Sequence, residues 1–393
     1  MSAADSSAPR ITFIYSPVGN GHRSAAKNIA AALERARPDA DVEVLNVLDF
    51  APRSFRYDAA WRLIQRYGGR FWDWFFDVTN RPLPDTFMQC REALNLHLLR
   101  PLAEHLTRRQ PDRIVCTHYL PAIAVAHLKK RGRLQGRTST VITDYLSHEA
   151  WICPGVERYY VATKEVARSL VERGVAASSI EVAGIPVGHD ALATEVSAGP
   201  RLVTGRLRVL FLAAGVPRRL LRDALGSLRA VGDLELDIVA GGDPGLLRHL
   251  ADWNAELGLA ATLHGFLPTM KPLMQRAHVV ATKAGGLVVT ECLTQGRAMV
   301  LPWPAPGHER GNRAHALEAG AAVALDDARD LGPTLGRFVQ EPGRLVEMGV
   351  AASKAVTPGA AARIARDLLD GLPEPLDVEG ARPAMRLAQG AAQ

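Results

Sequence analysis

The sequence predicts an α/β protein made of two Rossmann-like, doubly wound domains facing a central cleft. Three observations predict it. Short β-branched runs alternate with amphipathic helical stretches from residue 11 onward, which is the pattern of parallel sheets joined by crossover helices. The alternation lapses once, in the polar, aperiodic stretch 193–206 (ATEVSAGPRLVTGR), and then begins again. The chain's 393 residues suffice for two or three domains with cores of their own.

Taken in order, residues 11–15, 42–47, 113–117, 140–143 and 158–162 read as strands of a first domain spanning 10–190. Between them, 24–37, 120–130 and 164–173 carry apolar residues at spacings of three and four and read as helices. A linker at 191–206 leads to a second domain, 207–370. Its strands are 207–213, 236–240, 261–263, 278–281, 298–301 and 321–325, and its helices start near Arg218, Pro244, Thr269, Gly286 and Asn312. The tail 371–393, rich in Ala, Pro and Gly, is expected to be disordered.

Composition narrows the function classes. With 47% hydrophobic and 22% charged residues the chain should fold rather than stay disordered. The apolar run 279–301 is broken by Lys283, Glu291 and Arg297, so no membrane span is expected, and 11–15 is too short an apolar run for a signal peptide. Cys90, Cys116, Cys153 and Cys292 lie far apart without a Cys-x-x-Cys, which indicates a reducing cytoplasm and no structural zinc. The net charge is +6, yet residues 53–137 hold 16 Lys/Arg against 7 Asp/Glu, so the rest is slightly acidic. A local excess of this kind points to an anionic partner surface.

Four segments could carry chemistry. Residues 16–26 (SPVGNGHRSAA) follow the first strand and open the first helix, and Gly19-x-Gly21-x-x-Ser24 nearly fits a dinucleotide fingerprint with Glu43 or Asp49 placed for a ribose. A tight turn is the plainer reading, and a catalytic one rests on His22. Its imidazole falls at a strand's carboxyl end and a helix's amino end, where the positive helix terminus disfavours imidazolium and keeps a base available. Residues 281–291 (ATKAGGLVVTE) repeat the strand, glycine turn and helix, so Gly285 and Gly286 could present a helix end to a phosphate, with Glu291 in reach of a sugar diol. No Gly-Lys-[Ser/Thr] occurs there, which excludes a Walker A loop. Residues 302–312 (PWPAPGHERGN) stiffen His308, Glu309 and Asn312 with three prolines. In GFLPTM, 265–270, the Phe266 turn could offer backbone groups to a base edge. The fourth segment, 55–87, holds 10 of the 23 aromatic residues interleaved with Arg, including Trp61, Phe71, Trp72, Trp74 and Phe75. It reads as a membrane-interface element, with buried helix packing as the alternative. Single-stranded nucleic acid suits the same composition, but no RNA-binding motif accompanies it and no nucleic acid is expected.

In combination, GNGH, TDYLSHEAWICPGVERYYVAT (143–163), AGIPV (183–187), GFLPTM, TKAGGLVVTE and PGHERGN resemble the monogalactosyldiacylglycerol synthase and processive diacylglycerol glucosyltransferase family over about residues 11–325. The resemblance implies a two-domain GT-B glycosyltransferase related to the murein lipid II glycosyltransferase. It implies an acceptor lipid on the first domain, with Asp144 on that side, and a UDP-sugar on the second. His22 then matches the proposed base, Glu291 the ribose contact and Phe266 the uracil contact. Gly285 and Gly286 match the phosphate turn, Gly215 and Lys283 fall among the donor-binding residues, and His308, Glu309 and Asn312 match the sugar loop. His308 stands where the family usually has Gln, and Ala284 where it has Pro.

The chemistry agrees. Inverting transfer needs a base for the acceptor hydroxyl and a group that stabilises the departing diphosphate. His22 suits the first role. The glycine helix end with Lys283 suits the second without a metal or cofactor. The expectation is a cytoplasmic enzyme, peripherally attached to the inner face of the cell membrane through an anionic lipid surface, that moves a hexose from a UDP-sugar to diacylglycerol. A UDP-N-acetylglucosamine 2-epimerase-like isomerase and a nucleic-acid-binding protein are the alternatives.

Overall fold

The computed structural model describes residues 8–17, 19–52, 69–80, 98–188, 205–232, 234–372 and 386–387, with backbone alone at 69–72 and 386–387. It divides into two compact units, Met1–Asp190 with Gly359–Gln393, and Ala191–Pro358.

In the first unit the strands are β1 (Arg10–Tyr15), β2 (Asp41–Asn46), β3 (Arg113–Cys116), β4 (Arg137–Val141), β5 (Arg158–Val161) and β6 (Ile180–Val182). All pair in parallel, and β1 lies between β2 and β3 in the order β2-β1-β3-β4-β5-β6. The chain goes out from β1 to β2 and returns to β1's other side for β3, so the topological switch lies between β1 and β3. Ile11, Phe13 and Ile14 have no exposed surface, as expected of a strand covered on both faces by crossover helices. The helices of this unit, before the carboxyl-terminal one, are α1 (Gly21–Ala36), α2 (Gly69–Thr79), α3 (Arg100–Arg109), α4 (Tyr119–Lys130) and α5 (Lys164–Glu172).

The second unit repeats the plan with β7 (Leu207–Leu212), β8 (Leu234–Val239), β9 (Thr262–His264), β10 (Val279–Ala281), β11 (Ala298–Leu301) and β12 (Ala322–Ala324). Their order is β12-β11-β10-β7-β8-β9, all parallel, which puts this unit's switch between β7 and β10. Helices α6 (Arg218–Ser227), α7 (Pro244–Leu257), α8 (Lys271–Arg276), α9 (Gly286–Thr294), α10 (Arg310–Glu318), α11 (Leu331–Gln340) and α12 (Pro342–Lys354) complete it.

One expectation about the carboxyl-terminal region needs correction. The second domain was expected to run to residue 370, but α13 (Ala360–Leu369) belongs to the first unit. Ile364, Ala365 and Leu368 are buried in the same cluster as Ile29, Ala30 and Leu33 of α1. Polar contacts fix it as well: Arg158 grips Asp367 at 2.9 and 3.0 Å, Tyr160 donates to Asp367 at 2.6 Å, and Arg113 donates to the carbonyls of Leu368 and Asp370. Within 371–393 the described residues include a two-residue strand, β13 (Arg386–Leu387), paired in parallel with β2.

Candidate functional site

Ligands of open parallel sheets bind beyond the carboxyl ends of the strands, at the switch point. Each unit gathers its candidate residues there.

In the first unit, β1 ends at Tyr15 and the chain turns through Gly19, whose φ of +71° suits glycine, into α1. His22 therefore lies within the first turn of α1 rather than in the loop before it. Because β3 neighbours β1, the residues that follow β3 lie alongside. Thr117 donates its hydroxyl to the His22 carbonyl at 2.9 Å, and the His118 ring meets the His22 ring edge to face, with centroids 4.8 Å apart. One strand further, past β4, the Thr143 hydroxyl lies 3.1 Å from His22 Nδ1. Trp151 closes the group at 6.2 Å from His22 and 6.1 Å from His118.

His118 is buried, and its Nδ1 accepts the Leu120 backbone N–H at 3.1 Å as the cap of α4. Burial first, and the nearby His22 second, hold its pKa well below the usual histidine value, so it is a neutral ring carrying its proton on Nε2. Sequence reasoning missed His118, Thr117 and Thr143. The available signal was a histidine placed between a buried strand and a helix, in the position of a cap. Asp144 follows Thr143 and is partly buried.

Of the aromatic segment, 69–80 is described, while Trp61 and the side chains of Phe71 and Trp72 lie outside the described residues. The described helix has one buried and one exposed face. Phe76 is buried against the His148 ring at 4.5 Å, and its carbonyl lies 3.2 Å from His148 Nε2. Asn80 accepts the Glu149 backbone N–H, and Arg173 joins the Asn80 carbonyl to the Glu149 carboxylate. Trp74, Phe75 and Val78, which share a face at spacings of one, three and four, are 58%, 39% and 40% exposed.

In the second unit, Gly215 in the turn after β7 has a φ of +76° and abuts the Lys283 side chain from the turn after β10. Lys283 Nζ donates to Glu309 Oε1 at 2.6 Å, and His308 Nε2 lies 3.9 Å from the same oxygen. Glu309, only 3% exposed, belongs to the single helical turn Gly307–Glu309 that precedes α10. Asn312, fully buried in α10, donates to the Ala284 carbonyl at 3.0 Å and ties the stiff loop after β11 to the glycine turn. Gly285 caps α9 with an ordinary φ of −71° and no side-chain cap.

Glu291 sits in the second turn of α9. Its carboxyl keeps some exposure but is closely surrounded, and burial pushes its pKa up to about 7. Phe266, 57% exposed, stands in the loop after β9, and no hydrogen bond or ring contact among the described residues joins it to the Lys283–Glu309 cluster. Gly215, Lys283, Gly285, His308, Glu309 and Asn312 thus come together, while Glu291 and Phe266 lie outside their contacts.

Two parallel doubly wound units, each with candidate residues at its switch point, make up a GT-B fold. Among solved structures, MurG of Acinetobacter baumannii matches with a TM-score of 0.59, at 16% identity, over 92% of this chain and 99% of that one. A putative UDP-N-acetylglucosamine 2-epimerase from Listeria monocytogenes matches with a TM-score of 0.60, at 14% identity, over 94% and 100%. At such identities the likeness shows the fold, and the fold is shared by transferases and epimerases.

Sequence separates the two. A family model described as monogalactosyldiacylglycerol (MGDG) synthase matches residues 22–187. The processive diacylglycerol beta-glucosyltransferase of Bacillus cytotoxicus is 26% identical over 270 residues, 67% of this chain and 69% of that protein. The resemblance to this glycolipid synthase family is borne out.

Proposed function

We infer that this chain is an inverting, UDP-sugar-dependent hexosyltransferase that acts on diacylglycerol or a related lipid at a membrane surface. The observation that carries the donor half is Gly285. Its φ needs no glycine, and a Cβ there would meet only Glu309 Oε1, at an ordinary 3.8 Å. The fold has no use of its own for a missing side chain at this helix end. A diphosphate approaching the uncapped N–H groups of α9 does. Glu291, further along the same helix and with its carboxyl in no side-chain hydrogen bond or ion pair among the described residues, is the acceptor of ribose hydroxyls in this reading.

In the reaction, the acceptor hydroxyl oxygen attacks the anomeric carbon as its proton passes to His22. The bond from that carbon to the diphosphate oxygen breaks, and UDP leaves with the electron pair. The new bond forms on the opposite face, so the anomeric configuration inverts. The α9 terminus and the Lys283 ammonium oppose the charge that builds on the leaving diphosphate, and no metal is required for that role. Lys283 is already held by Glu309, which fixes its position before the nucleotide arrives.

The acceptor half rests on His22 and α2. The exposed face of Trp74, Phe75 and Val78 suits the interfacial zone of a bilayer, and Phe76 with Asn80 fastens that helix to the unit carrying His22. No helix among the described residues is long and apolar enough to cross a membrane, so attachment would be peripheral.

Incubating the purified chain with UDP-glucose and dioleoylglycerol in anionic vesicles tests the assignment by thin-layer and mass analysis. Formation of hexosyl-diacylglycerol with release of UDP supports it. Conversion of UDP-N-acetylglucosamine without any acceptor would favour the epimerase instead.

A further inference from the structure

Beyond the base itself, the geometry points to Thr143 as a positioning residue: its hydroxyl accepts the Nδ1–H of His22 and thereby turns the Nε2 lone pair toward the acceptor hydroxyl. The inference rests on the reading of His22 as base.

Thr143 is 3% exposed and lies just past β4, two strands from β1, so its place beside His22 is set by the sheet order and not by sequence proximity. The 3.1 Å contact engages Nδ1. A hydroxyl can donate or accept, but a neutral imidazole offers a lone pair on one nitrogen alone. If Thr143 donated, Nε2 would carry the ring proton and could not take another from the acceptor. If Thr143 accepts, Nδ1 carries the proton and Nε2 is the basic atom. Transfer then leaves an imidazolium whose Nδ1–H still points at the hydroxyl, and a hydrogen bond from a cation is stronger than one from the neutral ring. Thr143 therefore offsets part of the penalty that the positive end of α1 places on imidazolium.

The surroundings hold the ring in that attitude. The neutral His118 ring braces it at 4.8 Å, Trp151 stands at 6.2 Å, and Thr117 ties the His22 carbonyl. The titratable or charged groups on the segments packed against His22 are His118 and Tyr119 after β3, Asp144 and Tyr145 beside Thr143, and His148 with Glu149 in the turn that carries Trp151. Arg23 lies on its own helix. Of these, His118 is held well below the usual histidine value, by burial first and by the nearby His22 second.

The experiment compares Thr143→Val, Thr143→Ser and His22→Ala with the parent on UDP-glucose and dioleoylglycerol in anionic vesicles. Valine keeps the volume and loses the hydroxyl. Expected for Thr143→Val are a kcat lower on the order of 10-fold, an unchanged KM for UDP-glucose, and an acid limb of kcat/KM moved to lower pH. Thr143→Ser restores turnover to within about 3-fold, which a packing role would not require. Should the valine variant melt well below the parent, Thr143→Ala supplies the same comparison. A hydroxyl-free variant with parental kcat and pH profile, next to an inactive His22→Ala, overturns the positioning role. Parental turnover by His22→Ala overturns the base reading instead.

Discussion

Replacing Glu291 by Gln should make the protein more stable and a poorer binder of UDP, and both effects should depend on pH. In the folded protein burial lifts this carboxyl to about 7, against 4.5 for the free side chain. A native pKa above the unfolded one means that the native state holds the proton more tightly. The resulting stabilisation is complete below about pH 4.5 and is lost as the pH rises through about 7. At pH 8 the parent therefore keeps an ionised carboxylate in a poorly solvated place, at a cost of at most about 3 kcal/mol for a displacement of this size. Residual exposure lowers that to roughly 1–3 kcal/mol. Glutamine occupies the same space without the charge. For a domain of this size, about 2–4 °C of melting temperature corresponds to each kcal/mol, so Glu291→Gln should melt several degrees above the parent at pH 8. The gain should shrink to roughly a quarter at pH 5.

The same change removes an anionic acceptor for ribose hydroxyls and should weaken UDP by roughly 1–3 kcal/mol at pH 8. Scanning calorimetry at pH 5, 6.5 and 8, with UDP titrations at each, reads both quantities. A melting difference that does not vary with pH would refute the desolvation argument, and unchanged UDP affinity would refute the ribose placement.

Other substitutions probe the remaining parts. His22→Ala should lower kcat by about 10²–10⁴-fold and leave UDP affinity unchanged, whereas near-parental turnover by His22→Asn would reduce His22 to a structural role. Replacing Trp74 and Phe75 by Ala should cut sedimentation with anionic vesicles by roughly 10-fold or more while calorimetric UDP binding stays the same, and added salt should weaken docking only in part because the ring contribution is apolar. Turnover in EDTA should equal turnover without it, and a loss restored by added Mg²⁺ would assign the leaving-group role to a metal.

Much of the fold was legible because a parallel strand covered on both faces has to be apolar along most of its length. RITFIY, LRVLFL and AMVL have no other plausible place, and each became a central strand. Elements at the rim carry a weaker signal. β6 is three half-buried residues, IEV, and its pairing with β5 rather than its own sequence makes it a strand. The amphipathic pattern of α13 reveals a helix but carries no address, because its partner α1 lies more than 300 residues earlier in the chain. Assignment of that helix to the second domain failed for this reason.

The site divides along the same line. Glycine turns can be read from a sequence because few residues tolerate φ values such as those of Gly19 and Gly215, and a turn between strand and helix already implies an anion site or a catalytic one. Thr143 and His118 belong to no such turn. Their importance follows from β3 and β4 being laid down successively on the far side of β1, so that segments about 95 and 120 residues from His22 come to rest against it. The corresponding contact in the second unit, Lys283 with Glu309, joins the turn after β10 to the one after β11 by the same geometry. In the first unit the residues that appear only with the fold, Thr143 and His118, surround the visible one, His22, whereas in the second Lys283 and Glu309 are both legible and the fold adds the bond between them. A base with a nearby orienting hydroxyl, or an ammonium clamped by a buried carboxylate, is positioned before substrate arrives, and such preorganisation is where transition-state stabilisation originates.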